Sequence, residues 1–564
     1  LQTGLNRGQA EPKNQETMKK WLLLFLPLAS LAQDRKTEIE SMMAKAAIPG
    51  LSLVYVKDGK IAESYALGLR SNDTRLPVDS NTVFAAASLS KCVFAYGLLQ
   101  LVDQGRINLD SPLARYVDYK DVKHDPRYKL VTVREALSHT AGLPNWRNGS
   151  ELNFQYDPGK QFRYSGEGFV WLSKAMDTLT GESTEQWMQK NVFAKLAMNN
   201  SSYLWQERYA GDYAQPHSEI GKTRSKYYPK ESNVAHSLQT TANDYGRFLL
   251  ALLNKKGLKP ATVAALNQAQ PHSAFADYGG KLAWGLGLGY GQSDHGDYFW
   301  QWGDNGTYKA FLIGFPGKKE GLVYFTNSSN GLAIANQLLQ LFFTWDGQAL
   351  KWLDYANYQS SSFQMYQRMA VMPAKEAIKP YLVADGSIVD STKIKDDYYG
   401  DIIYMLIDQK RWDEAKWLAQ MNAKAFPNSS NAYANLALAS LRSGDRAGAA
   451  DACLKMYAID SSRKSPKLAA DRLLEKPDTS AGVLHEFRLP NFGDARNVQL
   501  VGQFNDWNDF TLPMKWQDGA WTIKIHLKAG KYMYKFIVDG IWIPDMDNKQ
   551  VNVDDNFNSI VEIK

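Results

Sequence analysis

Residues 82–105 read TVFAAASLSKCVFAYGLLQLVDQG, with Ser88 three places before Lys91. Residues spaced i,i+3 share one helix face, so these two side chains can meet. AAAS precedes a long apolar run, which puts Ser88 at a helix N-terminus, where free amides and the dipole favour developing negative charge. A lysine one turn in sits badly with that dipole, and burial would lower its pKa toward that of a proton acceptor. The same residues fit a plainer reading, with Ser88 a helix cap and Lys91 solvated. Spacing does not separate the two, because Ser461-Ser462-Arg463-Lys464 repeats S-x-x-K in a polar connector with no apolar run behind it.

Working outward, 564 residues exceed one hydrophobic core, and three or four domains are expected. Apolar residues at 44% and charged ones at 22% are ordinary for globular proteins. The formal charge of +6 is modest and no Lys/Arg block stands out, so nucleic acid is not an expected partner. Aromatics reach 12%, with 16 Trp, which suggests flat stacking surfaces such as sugar sites. Cys92 and Cys453 lie far apart in sequence and in different candidate domains and give no disulfide framework or metal pattern, and Cys92 reads as a small buried hydrophobe. The histidines form no H-E-x-x-H pair, so neither a metal nor another cofactor is expected.

MKKWLLLFLPLASLAQ (18–33) has two lysines, a short apolar core and small residues at Ser30 and Ala32. It reads as a secretory signal over 18–32, cleaved after Ala32, and is too short to span a membrane. Residues 1–17 read as upstream sequence. The mature protein is therefore expected to be exported, periplasmic or secreted, with no later membrane span.

Residues 33–345 mix strands and helices. GLSLVYVKDGKIAESYALG (50–68) reads as two strands about an Asp58-Gly59 turn, and NDYGRFLLALLNKKG as an amphipathic helix. TYKAFLIGFPGKKEGLVYFTN reads as a hairpin about Pro316-Gly317. Strands at both ends with helices between predict an α+β domain whose sheet joins its termini. A connector (346–395) leads to a helical segment (396–462), where RWDEAKWLAQMNAKAFPNSS realigns on DRAGAADACLKMYAIDSS with Ala415 and Ala449 in register. This segment resembles tetratricopeptide repeats, but two units are too few for an array and read as a docking spacer. A linker (463–482) precedes an all-β pattern over 483–564, expected as a small immunoglobulin-like sandwich.

Flanking segments bear on the Ser88 question. The chain resembles the serine β-lactamase and penicillin-binding protein superfamily, especially its class C-like branch and the related family VIII carboxylesterases. The resemblance runs in order through AAIPGLSLVYVKDGK, SLSK, LVDQGRINLDSPLARYV, VTVREALSHTAGLP, PGKQFRYSGEGFVWLSKAMDTLTGES, SLQTTANDYGRFLLALLN, AWGLGLGYG and QWGDNGTYKAFLIGFP. It implies an acyl-enzyme formed on Ser88. The family's Y-x-N motif matches Tyr164-Ser165-Gly166, implying that Tyr164 exchanges protons with Ser88 and Lys91. A lysine charge nearby would favour partial deprotonation of Tyr164. Gly166 replaces the asparagine that contacts the acyl-side amide in lactamases, so that pocket contact should be missing. The K-T-G or H-x-G motif aligns with Gln301-Trp302-Gly303, and the Asp304 backbone would join the Ser88 amide as an oxyanion hole. Gln301 lacks the usual cation. Losing that charge-assisted contact to a substrate carboxylate removes about 1.5–3 kcal/mol of binding. Weak lactamase and D-alanyl carboxypeptidase activity is expected, with neutral esters less affected.

Other signals compete. His295-Gly296 is an alternative third motif, although the downstream strand fits the Gln301 register better. Lys222-Thr223-Arg224 lacks the glycine and sits in a polar loop. His139 belongs to a segment that is structural in the family. GLGLGYG has no strand-turn-helix unit around it for a dinucleotide.

VQLVGQFNDWNDFTLPM and GKYMYKFIVDGIWIPD resemble the glycogen-binding module of AMP-activated kinase β-subunits. The resemblance implies glycan contacts from Trp507, Trp542 and Lys535, with Asn558 as a further polar partner. The competing reading buries these tryptophans at a domain interface. Together the motifs predict an exported serine hydrolase acting on a small ester, with an α-glucan or other glycan as partner. A β-lactamase or D-Ala-type peptidase using the same serine is the alternative, and a non-catalytic glycan- or protein-binding scaffold is the alternative of another class.

Overall fold

The computed structural model describes residues 34–147, 152–345, 347–382 and 396–474, and 482–564 except 494, 496, 506, 508–510, 539–540, 546 and 549–557. The expected export signal and residues 1–17 lie outside the described residues.

β1 (Gly50–Lys57) and β2 (Lys60–Gly68) form a hairpin across Asp58 and Gly59, both at positive φ, 52° and 69°. Two left-handed residues make the tight turn whose twist matches paired strands. Then come β3 (Phe84–Ala85), β4 (Gln239–Thr240), β5 (Leu282–Trp284), β6 (Gly289–Gly291), β7 (Tyr298–Asp304), β8 (Lys309–Phe315) and β9 (Glu320–Thr326). β3 pairs with β4, and the rest form a seven-stranded sheet in the order β2-β1-β9-β8-β7-β6-β5. All its pairs are antiparallel, and β1 lies directly against β9, as expected of a sheet that joins the domain's two ends.

Side chains alternate across a strand, and β1 feeds a core on each face. Leu51, Leu53 and Tyr55 pack with Ile39, Met42 and Met43 of a helix over 34–45 and with Leu338 and Leu339. Val54 and Val56 pack on the other face with the Leu89–Asp103 and Ala242–Leu253 helices. The Leu89–Asp103 helix is apolar nearly all round because it is buried nearly all round.

The connector is more structured than the sequence suggested. It carries helices at Gln348–Leu353, Ser361–Val371 and Ala374–Ile378, while 383–395 lie outside the described residues. Helices Asp396–Asp408, Trp412–Ala425, Ser430–Arg442 and Arg446–Ile459 follow, with Ala415 and Ala449 both fully buried. The first half of the expected linker is a further helix, Ser465–Leu474, because Ala469, Ala470 and Leu473 bury against Ala449, Ala450 and Cys453. Pro466 sits in its first turn, where a missing N–H leaves no bond unmade. Arg224 donates to both Asp408 oxygens, at 3.2 and 2.7 Å, joining this region to the hydrolase-like domain. The K-T-R string is thus a docking anchor.

The C-terminal β domain comprises β10 (Val483–Pro490), β11 (Val498–Gly502), β12 (Lys515–Gln517), β13 (Ala520–Leu527), β14 (Gly530–Val538), β15 (Ile541–Ile543) and β16 (Ser559–Ile563). Sheets β10-β13-β12 and β11-β14-β15, with β16 also on β14, enclose Phe487, Leu489, Leu500, Trp521, Tyr534 and Phe536. Among the described residues no helix is long and apolar enough to cross a membrane.

Candidate active site

Ser88 occupies the N-cap position of the Leu89–Asp103 helix, but its side chain makes no capping bond. The preceding residue, Ala87, is fully buried at φ 48°, a left-handed conformation that non-glycine residues rarely adopt. Lys91 Nζ donates to Ser88 Oγ at 3.2 Å and to the Ala235 carbonyl at 2.7 Å. Lys91 is 1% exposed, and burial pushes its pKa down to about 7 against a smaller upward pull from Cys92. The solvated-lysine reading therefore fails. Ser461 and Lys464 show the contrast: both are exposed, and the neighbouring Ser462 hydroxyl donates to Asp460. Burial alone is not diagnostic. Lys226 is also pushed down to about 7 by burial, yet its hydrogen bonds go to Gln239 and Tyr308. The Ser88 contact is what distinguishes Lys91.

The Tyr164 hydroxyl accepts from Gln301 Nε2 at 2.8 Å. Burial raises its pKa well above the ordinary range, more than the polar influence of Ser88 and Gln301 lowers it. The expected partial deprotonation is thus corrected. Tyr164 keeps its proton, because its neighbour at 301 is a neutral amide and Lys91 is itself only weakly basic. His139 packs on the Tyr164 ring at 4.3 Å, and its Nδ1 accepts from the Ser165 N–H at 3.0 Å. Burial, then Lys91, push His139 well below its usual pKa, so it is a neutral packing group.

Gly166 has a spatial reason. A Cβ there would lie 2.7 Å from Trp146 Cη2 and 2.8 Å from the Asn145 carbonyl. Trp146 fills the space the motif's asparagine would need, with its ring 5.9 Å from Lys91 Nζ and 5.4 Å from His236. Gly166→Asn is therefore expected to lower stability by about 1–3 kcal/mol through overpacking, and to lower activity rather than restore lactam recognition. Urea unfolding and ester kinetics on the variant check this.

Gln301 also donates from Nε2 to the Ser88 carbonyl at 3.2 Å, which fixes the amide orientation because that partner can only accept. A Cβ on Gly303 would meet the Ala86 carbonyl at 2.7 Å, so glycine lets β7 run close beside the Ala86-Ala87 turn. Asp304 follows at the end of β7. Its Oδ1 pairs with Lys309 Nζ at 2.5 Å, and its Oδ2 accepts from Tyr355 at 2.5 Å. Burial works to raise the Asp304 carboxyl, but these partners outweigh it and hold the group below its usual range. Trp302 lies 4.7 Å from the Tyr164 ring and 5.6 Å from Trp352. His295, the alternative third motif, bonds Glu320 at 2.8 Å, whereas Gln301 meets Ser88 and Tyr164.

The structure thus gathers Ser88, Lys91, Tyr164 and Gln301, with Trp302 against Tyr164. Trp146, His236, Trp352 and Tyr355 join this neighbourhood without having been foreseen. The last two come from the segment read as connector, and only the richness in aromatics hinted at them.

In the C-terminal domain the Trp507 and Trp542 rings lie 6.3 Å apart, tilted by 34°. Asn558 is buried at the start of β16, which does not fit the open polar contact expected of it.

Fold and residue cluster together define a domain of the penicillin-recognising serine hydrolase type. The chain belongs to the beta-lactamase family, whose model matches residues 36–341. A second model, the glycogen recognition site of AMP-activated protein kinase, matches residues 488–564. The chain is similar to Protein flp of Staphylococcus aureus strain MW2, 24% identical over 233 residues, covering 38% of this chain and 45% of that protein. It is similar to penicillin-binding protein 4 of Amycolatopsis lactamdurans, 25% identical over 228 residues, covering 37% and 58%. The chain thus spans about half the length of these relatives. Among solved structures, an octameric penicillin-binding protein homologue from Pyrococcus abyssi aligns with TM-score 0.48 and 21% identity, covering 60% of this chain and 81% of that one. A D-alanine carboxypeptidase AmpC from Burkholderia cenocepacia aligns with TM-score 0.48 and 19% identity, covering 56% and 99%.

Proposed function

We propose that this protein is an exported serine hydrolase that cleaves neutral carboxylic esters, including esters on carbohydrate, through an acyl-enzyme on Ser88. The observation that carries the reading is Lys91 Nζ, buried and weakly basic, 3.2 Å from Ser88 Oγ. Ser88 Oγ attacks the ester carbonyl carbon as its proton passes to neutral Lys91, and a C–O bond forms. The oxyanion is met by the backbone N–H groups of Ser88 and Asp304. Collapse breaks the bond to the alcohol, which takes the proton held by Lys91 through the protonated Tyr164 hydroxyl. Water then adds to the acyl carbonyl by the same proton path and frees Ser88. Neutral Gln301 and the Asp304 carboxylate offer an anionic substrate little, which favours esters over β-lactams and peptide C-termini.

The test is covalent capture. An alkyl p-nitrophenyl phosphonate should modify the peptide containing Ser88 and stop hydrolysis of p-nitrophenyl acetate, while a fluorescent penicillin labels the protein poorly. Modification elsewhere with activity retained would refute the ester reading. Efficient penicillin labelling would favour cell-wall peptide or lactam chemistry by the same serine.

A further inference from the structure

Along β7 the side chains alternate. Gln301 and Gly303 face the Ser88 turn, whereas Trp300 and Trp302 face Trp352, at 5.8 and 5.6 Å. Asp304 shares the Trp302 face. Its backbone N–H has a different direction. The Asn305 N–H donates to the Tyr308 carbonyl at 3.1 Å, which makes Asn305–Tyr308 a hydrogen-bonded pair. Such pairs alternate along an antiparallel ladder, so the adjoining Asp304–Lys309 pair is not bonded. The Asp304 N–H therefore points away from β8. On that side β6 pairs with β7 as far as Trp300. The N–H thus opens on the free edge beside Ser88, where an oxyanion needs a donor.

The Asp304 carboxylate is held from three directions. Lys309 Nζ pairs with Oδ1 across the strands at 2.5 Å, and the Gly306 N–H donates to Oδ1 at 2.8 Å. Both partners belong to the β7–β8 hairpin and move with it. Tyr355 donates to Oδ2 at 2.5 Å from outside that hairpin. The segment around Tyr355 is itself anchored. Trp352 stacks on Phe275 at 4.6 Å, Ala349 is buried, and the Tyr358 N–H donates to the Ala333 carbonyl at 3.1 Å. Tyr355 thus ties the hairpin tip to a packed element behind the sheet.

We infer that Tyr355 is a positioning residue for ester cleavage: its bond to the Asp304 carboxylate, made behind β7, fixes the aim of the Asp304 N–H at the oxyanion on Ser88. The carboxylate and the N–H hang from one Cα, so a side chain that swings turns the peptide with it. A donor aimed before the charge develops costs no reorganisation at the moment of reaction. The segment between the helical region and the hydrolase domain is then part of the catalytic apparatus rather than a spacer. This inference rests on the ester reading of Ser88.

The test uses the full chain, p-nitrophenyl acetate and trifluoroacetophenone. The ketone reads the hole without turnover: Ser88 Oγ bonds to its carbonyl carbon, the hydroxyl proton passes to Lys91, and the ketone oxygen becomes an oxyanion. Tyr355→Phe keeps the ring and removes the hydroxyl, so it should fold. In this variant kcat is expected to fall about tenfold with KM nearly unchanged, the mark of an interaction made in the transition state. Ketone affinity should fall by a similar factor. The midpoint of the pH–rate profile should stay at about 7, because Lys91 is untouched. In an Asp304→Ala background, Tyr355→Phe should cost nothing more, since Tyr355 acts through that carboxylate. Unchanged kcat and ketone affinity in folded Tyr355→Phe would overturn the inference. So would a full further loss in the Asp304→Ala background, or a raised KM at constant kcat. If the unaltered protein shows no Ser88-dependent hydrolysis, the ester reading itself fails.

Discussion

Lys91→Met is expected to lower ester turnover about 10²–10⁴-fold, the usual contribution of a positioned general base. It should do so while making the protein more stable near neutral pH. The two effects share one cause. The folded state holds Lys91 at about 7, against an ordinary value of 10.5. Between those pH values the unfolded chain binds the extra proton and the folded one does not, so stability rises with pH across that window. Below pH 7 both states are charged, and the full cost of burying the ammonium is borne. Methionine removes that cost and keeps the aliphatic volume. Activity follows the neutral amine in the unaltered protein, rising with pH through about 7 to a plateau. Thermal melts at pH 6 and a pH–rate profile check both halves. A variant that is inactive yet less stable would show that Lys91 is held as a structural ion.

Asp408→Ala is expected to cost about 3–5 kcal/mol, because deleting one partner of a buried pair leaves the other charge without its counterion. Arg224 is 5% exposed and Asp408 side chain 6%, and Arg224 reaches both carboxylate oxygens. The loss should appear as looser attachment of the Asp396–Leu474 helices to the hydrolase domain. Limited proteolysis and calorimetry would read it, as earlier cleavage and a lower or split melting transition. Replacing both residues by apolar ones of similar volume should recover much of the loss. A single-residue effect near zero would mean that the pair is open to water.

Ser88, Lys91 and Tyr164 were legible because local spacing and a helix start carry them, and because flanking segments run in order along the chain. The sheet was legible for a similar reason. β1, β8 and β9 are buried along nearly their whole length and read as strong apolar runs. What the sequence hid is what depends on distant packing. Trp146 explains Gly166 only once a loop folds over the Glu167–Thr180 helix start. Tyr355 reaches Asp304 from beyond the domain, with no motif to announce it. The proton state of Tyr164 was misread because proximity of a lysine was weighed without the burial that weakens both groups. Over Ser465–Leu474 the linker reading gave way to a helix because Lys, Pro, Asp and Ser mask the buried Ala469, Ala470 and Leu473.

The pairing of β1 with β9 also bears on how the chain is made. The first hairpin leaves the ribosome early, yet one edge of β1 stays unmatched until almost the whole domain has been synthesised. Contacts so far apart in sequence close late and slow folding. Meanwhile an apolar strand, buried along seven of its eight residues in the finished fold, is a sticky edge. A chain truncated before β9 would leave that edge open, and aggregation or degradation is the expected outcome rather than a smaller folded domain.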